Sequence, residues 1–163
     1  MSQTIHFHPL QLEHKSLFDK YFSRFEPEIS EFTFSNLYIW RHSRKCRFAE
    51  VDNRLLILCT QDGKEYLMAP VGIPPSEIAP ILQSISGLFS NRIPFRRVGE
   101  DLVAGLTTGP FEITEDRDHF DYLYSSEALA SLKGRKYDGK RGFLSKFMDH
   151  QPHETSPYSS HFK

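Results

Sequence analysis

Two cysteines in 163 residues, Cys46 and Cys59, are too few for a disulfide framework and form no Cys-x-x-Cys pair. Two reduced thiols in a cytosolic protein are the expectation. No stretch approaches the roughly 20 apolar residues a membrane helix requires. The start, Met1-Ser2-Gln3-Thr4-Ile5-His6, has neither the basic cluster nor the apolar core of a secretory signal. A soluble, cytoplasmic chain is therefore expected. An excess of one charge is also missing. A formal net charge of −1 excludes binding to nucleic acid through bulk charge and leaves only local patches. Neither Gly-x-x-x-x-Gly-Lys-Ser/Thr nor Gly-x-Gly-x-x-Gly occurs, so the familiar phosphate-cradling loops are excluded. No nucleophile-elbow pattern and no internal repeat are present.

What is present is a core. Fourteen Phe and seven Tyr, with 39% hydrophobic and 25% charged residues, describe a globular chain and exclude disorder over its whole length. At this length about 70% of the unfolded surface can be buried, in one domain with or without a tail.

Ile5, Phe7 and Pro9 alternate with His6 and His8, predicting a short strand before a helix over Leu12–Phe25. Glu26-Pro27 should end that helix. Ser35-Asn36 is expected to cap a short helix carrying Leu37, Tyr38 and Trp40. Strands then follow at Cys46–Val51, Leu55–Cys59 and Glu65–Ala69, joined by Asp52-Asn53 and Asp62-Gly63 turns, as an antiparallel meander. Ile78, Ile81, Leu82, Ile85, Leu88 and Phe89 repeat at helical spacing, with Pro80 in the first turn or at the true start. A strand at Phe95–Val98 precedes a turn at Gly99 and a helix over Glu100–Leu106. Phe111–Thr114 and Tyr122–Tyr124 are further strand candidates. Ser125 or Ser126 caps a helix through Leu132 that stops at Gly134. Phe143, Leu144, Phe147 and Met148 predict a short amphipathic helix. Beyond Pro152 the chain is polar. This order predicts α+β with a mostly antiparallel, mixed sheet flanked by helices.

Few residues point to chemistry on their own. Arg96-x-x-Gly99-x-Asp101 is similar to the turn by which GNAT acyltransferases hold a pyrophosphate, but Glu100 and Asp101 would repel that anion, and a capped turn is the favoured reading. His6, His8, His150, His153 and His161 have no metal-ligand spacing, so no metal is expected. Cys59 lies in an apolar run and reads as a packed thiol. Cys46, beside Arg44, Lys45 and Arg47, would have a lowered pKa if exposed. The acid-rich stretch with Glu112, Glu115, Asp116, Asp118 and Asp121 reads as a solvated loop. Lys133, Arg135, Lys136, Lys140, Arg141 and Lys146 form a basic run interrupted only by Asp138. It suits phosphates, or is a solvated helix and linker.

Asp121-Tyr122-Leu123-Tyr124, Leu132-Lys133-Gly134-Arg135-Lys136-Tyr137 and Lys140-Arg141 with Phe147 resemble the phosphatidylglycerol lysyltransferase C-terminal-like family. Upstream, Phe34-x-Asn36-Leu37-x-x-Trp40 and Tyr66-x-x-x-Pro70-x-Gly72 fit the same pattern, so the resemblance runs over roughly residues 5 to 150. Gly142 stands where that family usually has Asn, and Asp138-Gly139 replaces a more basic pair.

The resemblance implies a GNAT-like (acyl-CoA N-acyltransferase-like) fold, usually present as two tandem copies. It also implies acyl or aminoacyl transfer, with the Fem peptidoglycan aminoacyltransferases as similar enzymes. Residues 5–132 would be the first copy, 133–150 a basic linker and the helix opening a missing second copy, and 151–163 a polar tail. The implied donor is acyl-CoA or aminoacyl-tRNA, with no cofactor evident in the residues themselves. The basic run (Lys133, Arg135, Lys136, Lys140, Arg141) would meet phosphates of transfer RNA or an anionic lipid headgroup, with Asp121, Tyr122 and Tyr124 as polar and aromatic neighbours. Catalytic residues are not identified. Because the reaction cleft would lie largely in the second copy, the chain is not expected to be catalytically complete alone. The alternative is a non-catalytic interaction module, homodimeric or paired with a separate second-copy partner.

Overall fold

The computed structural model describes residues 5–106 and 109–154. They divide into two compact units, one running through Asp121 and the other beginning at Tyr122.

The first unit is built on a five-stranded sheet, β1 (His8–Pro9), β2 (Arg47–Val51), β3 (Arg54–Gln61), β4 (Lys64–Met68) and β5 (Phe95–Arg96), in that spatial order. β1 to β4 pair antiparallel; β5 pairs parallel to β4, with Leu67 opposite Phe95 and Met68 opposite Arg96. The meander follows from its turns. Asp52 and Asn53, then Asp62 and Gly63, all have positive φ, the combination that matches a two-residue turn to the twist of its strands. The parallel step needs a crossover, which carries helix α3 (Ile78–Ser86).

Side chains alternate across β3 and bury both faces. Leu55, Ile57 and Cys59 join Phe48, Tyr66 and Met68 in a core with α1 (Lys15–Phe25) and α2 (Phe34–Ile39); Leu56 and Leu58 meet Leu67 and Ile85 of α3 on the other side. Phe18 of α1 is completely buried and touches the rings of Phe22, Phe34 and Phe48 edge-on. A third cluster joins Ile73, Ile78, Leu82 and Leu106 beside α4 (Glu100–Ala104).

Three local expectations are corrected. α2 is capped by Thr33, whose Oγ1 accepts from the Asn36 N–H, rather than by Ser35 or Asn36, because Thr33 is the last extended residue. The α3 helix ends at Ser86, so Leu88 and Phe89 follow it in turns. Phe111–Thr114 and Tyr122–Tyr124 pair with no strand. The sheet of the described residues ends at β5, and Tyr122 is 87% exposed, so the apolar face a strand must bury is missing there.

The second unit contains α5 (Ser126–Ser131) and α6 (Asp138–His150). Ser125 Oγ accepts from the Ala128 N–H to cap α5, and Leu132 closes it in the left-handed region before Gly134 (φ 94°) turns the chain away. No helix among the described residues is long and apolar enough to cross a membrane.

Candidate functional site

The basic run of the second unit divides into committed and uncommitted cations. Arg141 reaches back nine residues: its Nη1 donates to the carbonyls of Leu132 and Gly134, and its Nη2 pairs with Asp138. The Leu132 carbonyl lies at the C-cap of α5, so the guanidinium caps the helix end, and it shares the Gly134 carbonyl with the Tyr137 N–H, which donates at 3.1 Å. Lys136 lies with its ammonium 4.9 Å from the Tyr137 ring centroid. Lys133, Arg135 and Lys140 are exposed and make no ion pair among the described residues, so they are the charges available to an anion. Tyr122 and Tyr124 are exposed in the same unit.

Asp121 belongs to the first unit, where it serves the fold. Its carboxylate accepts from the Ser30 N–H at 2.9 Å and from the Ser30 hydroxyl at 2.8 Å. Asn36 Nδ2 donates to the Ser30 carbonyl at 3.3 Å, fixing the same loop from α2. The next residue, Glu31, faces Arg97 with Oε1 2.7 Å from Nε, both side chains nearly inaccessible. No aligned hydrogen bond is made by Arg97 Nε, so the attraction is Coulombic in a low-dielectric setting. Arg97 is also held at φ 60°, a left-handed conformation that costs a non-glycine residue about 1–2 kcal/mol.

Arg96, beside it, stacks its guanidinium 5.0 Å from the Tyr66 ring centroid. Both arginines of the Arg96-x-x-Gly99-x-Asp101 segment are therefore occupied within the fold. Glu100 and Asp101 fill the first turn of the five-residue α4. The segment is a charged turn without a free cation to offer pyrophosphate.

The two thiols are buried in the same core cluster as Tyr66. Cys46 and Cys59 have Sγ atoms 3.0 Å apart and are 4% and 1% exposed. The condition for an activated Cys46 is not met. Its pKa is raised, first by the hydrogen bond it gives Cys59 and then by burial, which outweigh the pull of Arg44. Cys59 is lowered, first by that same bond and then, against desolvation, by Tyr66, Arg44 and Arg97. Tyr66 is pushed up to about 12, chiefly by burial and then by Cys59.

Cys46 lines a pocket of about 330 Å³ whose wall carries Arg41, His42, Lys45 and Arg47. The run Arg41-His42-Ser43-Arg44-Lys45-Cys46-Arg47 is a second basic stretch, whose charge density is plain in the sequence. Arg41 donates to the Tyr38 carbonyl and lies over the Tyr38 ring, and Arg47 pairs with Glu65. Lys45 and His42 have no ion-pair partner among the described residues. No group of three or more His, Cys, Asp or Glu able to hold a metal occurs among the described residues; His161 lies outside them. Within the acid-rich stretch Asp116 pairs with His119 at 2.8 Å, and that hydrogen bond lowers its pKa.

The family model described as phosphatidylglycerol lysyltransferase, C-terminal, matches residues 22–161. The chain belongs to that family.

Among solved structures, this chain is similar to a conserved protein of unknown function from Bacteroides thetaiotaomicron VPI-5482. The two are 27% identical with a TM-score of 0.68, over 89% of this chain and 50% of the other. This chain thus spans half the length of that relative. No curated protein matches it. The α+β mixed sheet is consistent with a GNAT-like fold.

Family-pattern positions acquire physical reasons. Asn36 and Asp121 hold the Ser30 loop from two sides. Gly72 has φ 95°, and a Cβ there would lie 2.7 Å from the Phe25 ring. At Gly142 a Cβ would meet nothing within 4 Å. The departing Asp138 is the acid that holds Arg141.

Removing one member of the buried pair should leave the other charge uncompensated. Arg97→Met or Glu31→Gln is expected to cost about 3–5 kcal/mol in urea unfolding, and Arg97→Met with Glu31→Leu much less than the sum. Tyr66 gives a second expectation. Its folded pKa, about 12, lies above the ordinary 10.0, so its contribution is complete below pH 10 and lost as pH rises towards 12. Unfolding free energy should fall by about 1.4 kcal/mol per pH unit across that window. Chemical denaturation of Tyr66→Phe in parallel should show a shallower decline.

Proposed function

We propose that this chain supplies the first of two GNAT-like halves of an acyl- or aminoacyltransferase, and that transfer requires a second half. The observation that carries this reading is the family match over residues 22–161, taken with an alignment to half of a longer solved chain. Acyl transfer needs donor and acceptor oriented together in a site shielded from water. Within the first unit the charged groups best placed for chemistry are consumed by structure: Arg97 by Glu31, Arg96 by Tyr66, Asp121 by Ser30. In this reading the role left to the chain is binding. Lys133, Arg135 and Lys140 bind phosphates of an aminoacylated transfer RNA or of an anionic lipid, with Tyr122 and Tyr124 available to stack. Arg141 and Lys136 contribute by shaping the α5–α6 connection.

The purified chain should give no transfer from aminoacyl-tRNA or acyl-CoA to phosphatidylglycerol, yet bind transfer RNA or phosphatidylglycerol vesicles. With transfer RNA, replacing Lys133, Arg135 and Lys140 together by Glu should flatten the slope of log affinity against log salt by about two to three. Turnover by the chain alone would refute the half-site reading, and an unchanged salt slope would remove the basic run from it.

A second reading, a non-catalytic interaction module, is favoured by one observation. Phe143, Leu144, Phe147 and Met148 form an exposed stripe on α6, with Phe143 78% exposed. In that case the chain should self-associate in light scattering, and Phe143→Glu with Phe147→Glu should return it to a monomer. A monomeric parent chain would leave the homodimeric form of this reading without support.

A further inference from the structure

We propose that Cys46 and Cys59 form a reversible cross-strand disulfide by exchange with a small anionic disulfide of the glutathione class, admitted through the pocket that Cys46 lines. The strand register supplies the geometry. Arg47 pairs with Leu58, so the preceding residue, Cys46, lies opposite Cys59. The backbone of Cys46 is bonded elsewhere: its N–H donates to the Arg41 carbonyl at 3.0 Å, and its carbonyl accepts from the Leu10 N–H at 3.4 Å. Opposed strand residues that do not bond each other bring their Cα atoms to about 4.5 Å, within the span a disulfide bridges. The Sγ atoms already stand 3.0 Å apart, so a bond of about 2.05 Å needs a movement of roughly one ångström.

Access and direction are also built in. Cys46 reaches the pocket of about 330 Å³, while Cys59 lies behind it on β3 and does not. Arg41 and Lys45 on the pocket wall, neither paired with a carboxylate among the described residues, attract an anionic reagent; Arg47 there is paired with Glu65. Cys46 Sγ, its proton drawn towards the Cys59 Sγ 3.0 Å away, attacks one sulfur of the small disulfide. That S–S bond breaks, and the first thiol leaves with that proton. Cys59 Sγ then attacks the Cys46 sulfur of the mixed disulfide, and the second thiol leaves with the Cys59 proton. The two cysteines lose two electrons together, and one small disulfide becomes two thiols. Tyr66, Arg44 and Arg97 around Cys59 favour its thiolate in this second step. The product closes the β2–β3 hairpin covalently and fixes the end of the Arg41–Lys45 segment, which carries the second basic stretch.

The test uses the full reduced chain, folded, with oxidised glutathione. Intact mass should fall by the two hydrogens, about 2 Da, without a retained glutathione, and dithiothreitol should restore it. The thermal midpoint should rise by roughly 5–10 °C. Cys59→Ser should instead accumulate a single glutathione adduct on Cys46. At low salt the uncharged bis(2-hydroxyethyl) disulfide should react several-fold more slowly. A wild-type chain that retains a glutathione adduct would overturn the proposal, as would a folded chain that is inert while the urea-unfolded chain reacts. Equal rates for the charged and uncharged reagents would overturn the role of the cationic wall. Because none of these readouts involves transfer activity, they stand or fall independently of the half-site reading.

Discussion

Leu55, Ile57 and Cys59 point one way along β3 and Leu56 and Leu58 the other, so neither side of the sheet centre can be left to water. That constraint organises the first unit. One face takes α1 and α2 with their phenylalanines; the other takes α3, which must cross over to deliver β5 parallel to β4. A strand covered on both faces reads as an uninterrupted apolar run, which is how Leu55–Cys59 at the centre of β3 reads.

Several of these charges complete the fold rather than face a ligand. A carboxylate and a guanidinium buried together cost desolvation that their attraction only partly offsets, so such a pair specifies an arrangement more than it stabilises one. Glu31 and Arg97 fix the Ser30–Glu31 loop against the segment after β5, and Asp121 fixes the same loop from the other end of the unit's sequence. Three stretches far apart in the chain are thereby held in one register. Arg141 does the equivalent for the α5–α6 connection by satisfying carbonyls that the helix end exposes. Function must then be sought among the cations left over.

The parts legible in the sequence are those governed by local rules. Asp52-Asn53 and Asp62-Gly63 announced both hairpins because few residues accept positive φ at both central positions. The α3 stripe and the Glu26-Pro27 stop follow from periodicity and proline sterics. Tyr122–Tyr124 was misread because strand propensity describes a side chain that packs well on a sheet, and no sheet edge is supplied there. For the candidate site the loss is greater. Asp121 and Arg141 were recognisable as members of a family pattern, but their structural duties depend on Ser30 and on the Leu132 and Gly134 carbonyls, which no spacing rule connects to them. The Cys46–Cys59 pairing was missed for a simpler reason. The cysteines were weighed separately, while the hairpin between them sets them opposite each other.

This division between spent and unspent charge bears on how the perturbed groups of the first unit are to be understood. A catalytic chamber concentrates perturbed groups around a cleft. Here the strongest perturbations fall on Cys46, Cys59 and Tyr66, which shield one another within a core face. Their shifts follow from burial and mutual hydrogen bonding, with no substrate required to explain them. Lys133, Arg135 and Lys140, within the second unit, are close to water, where single contacts are weak and binding comes from several acting together; Lys45 is exposed in the first.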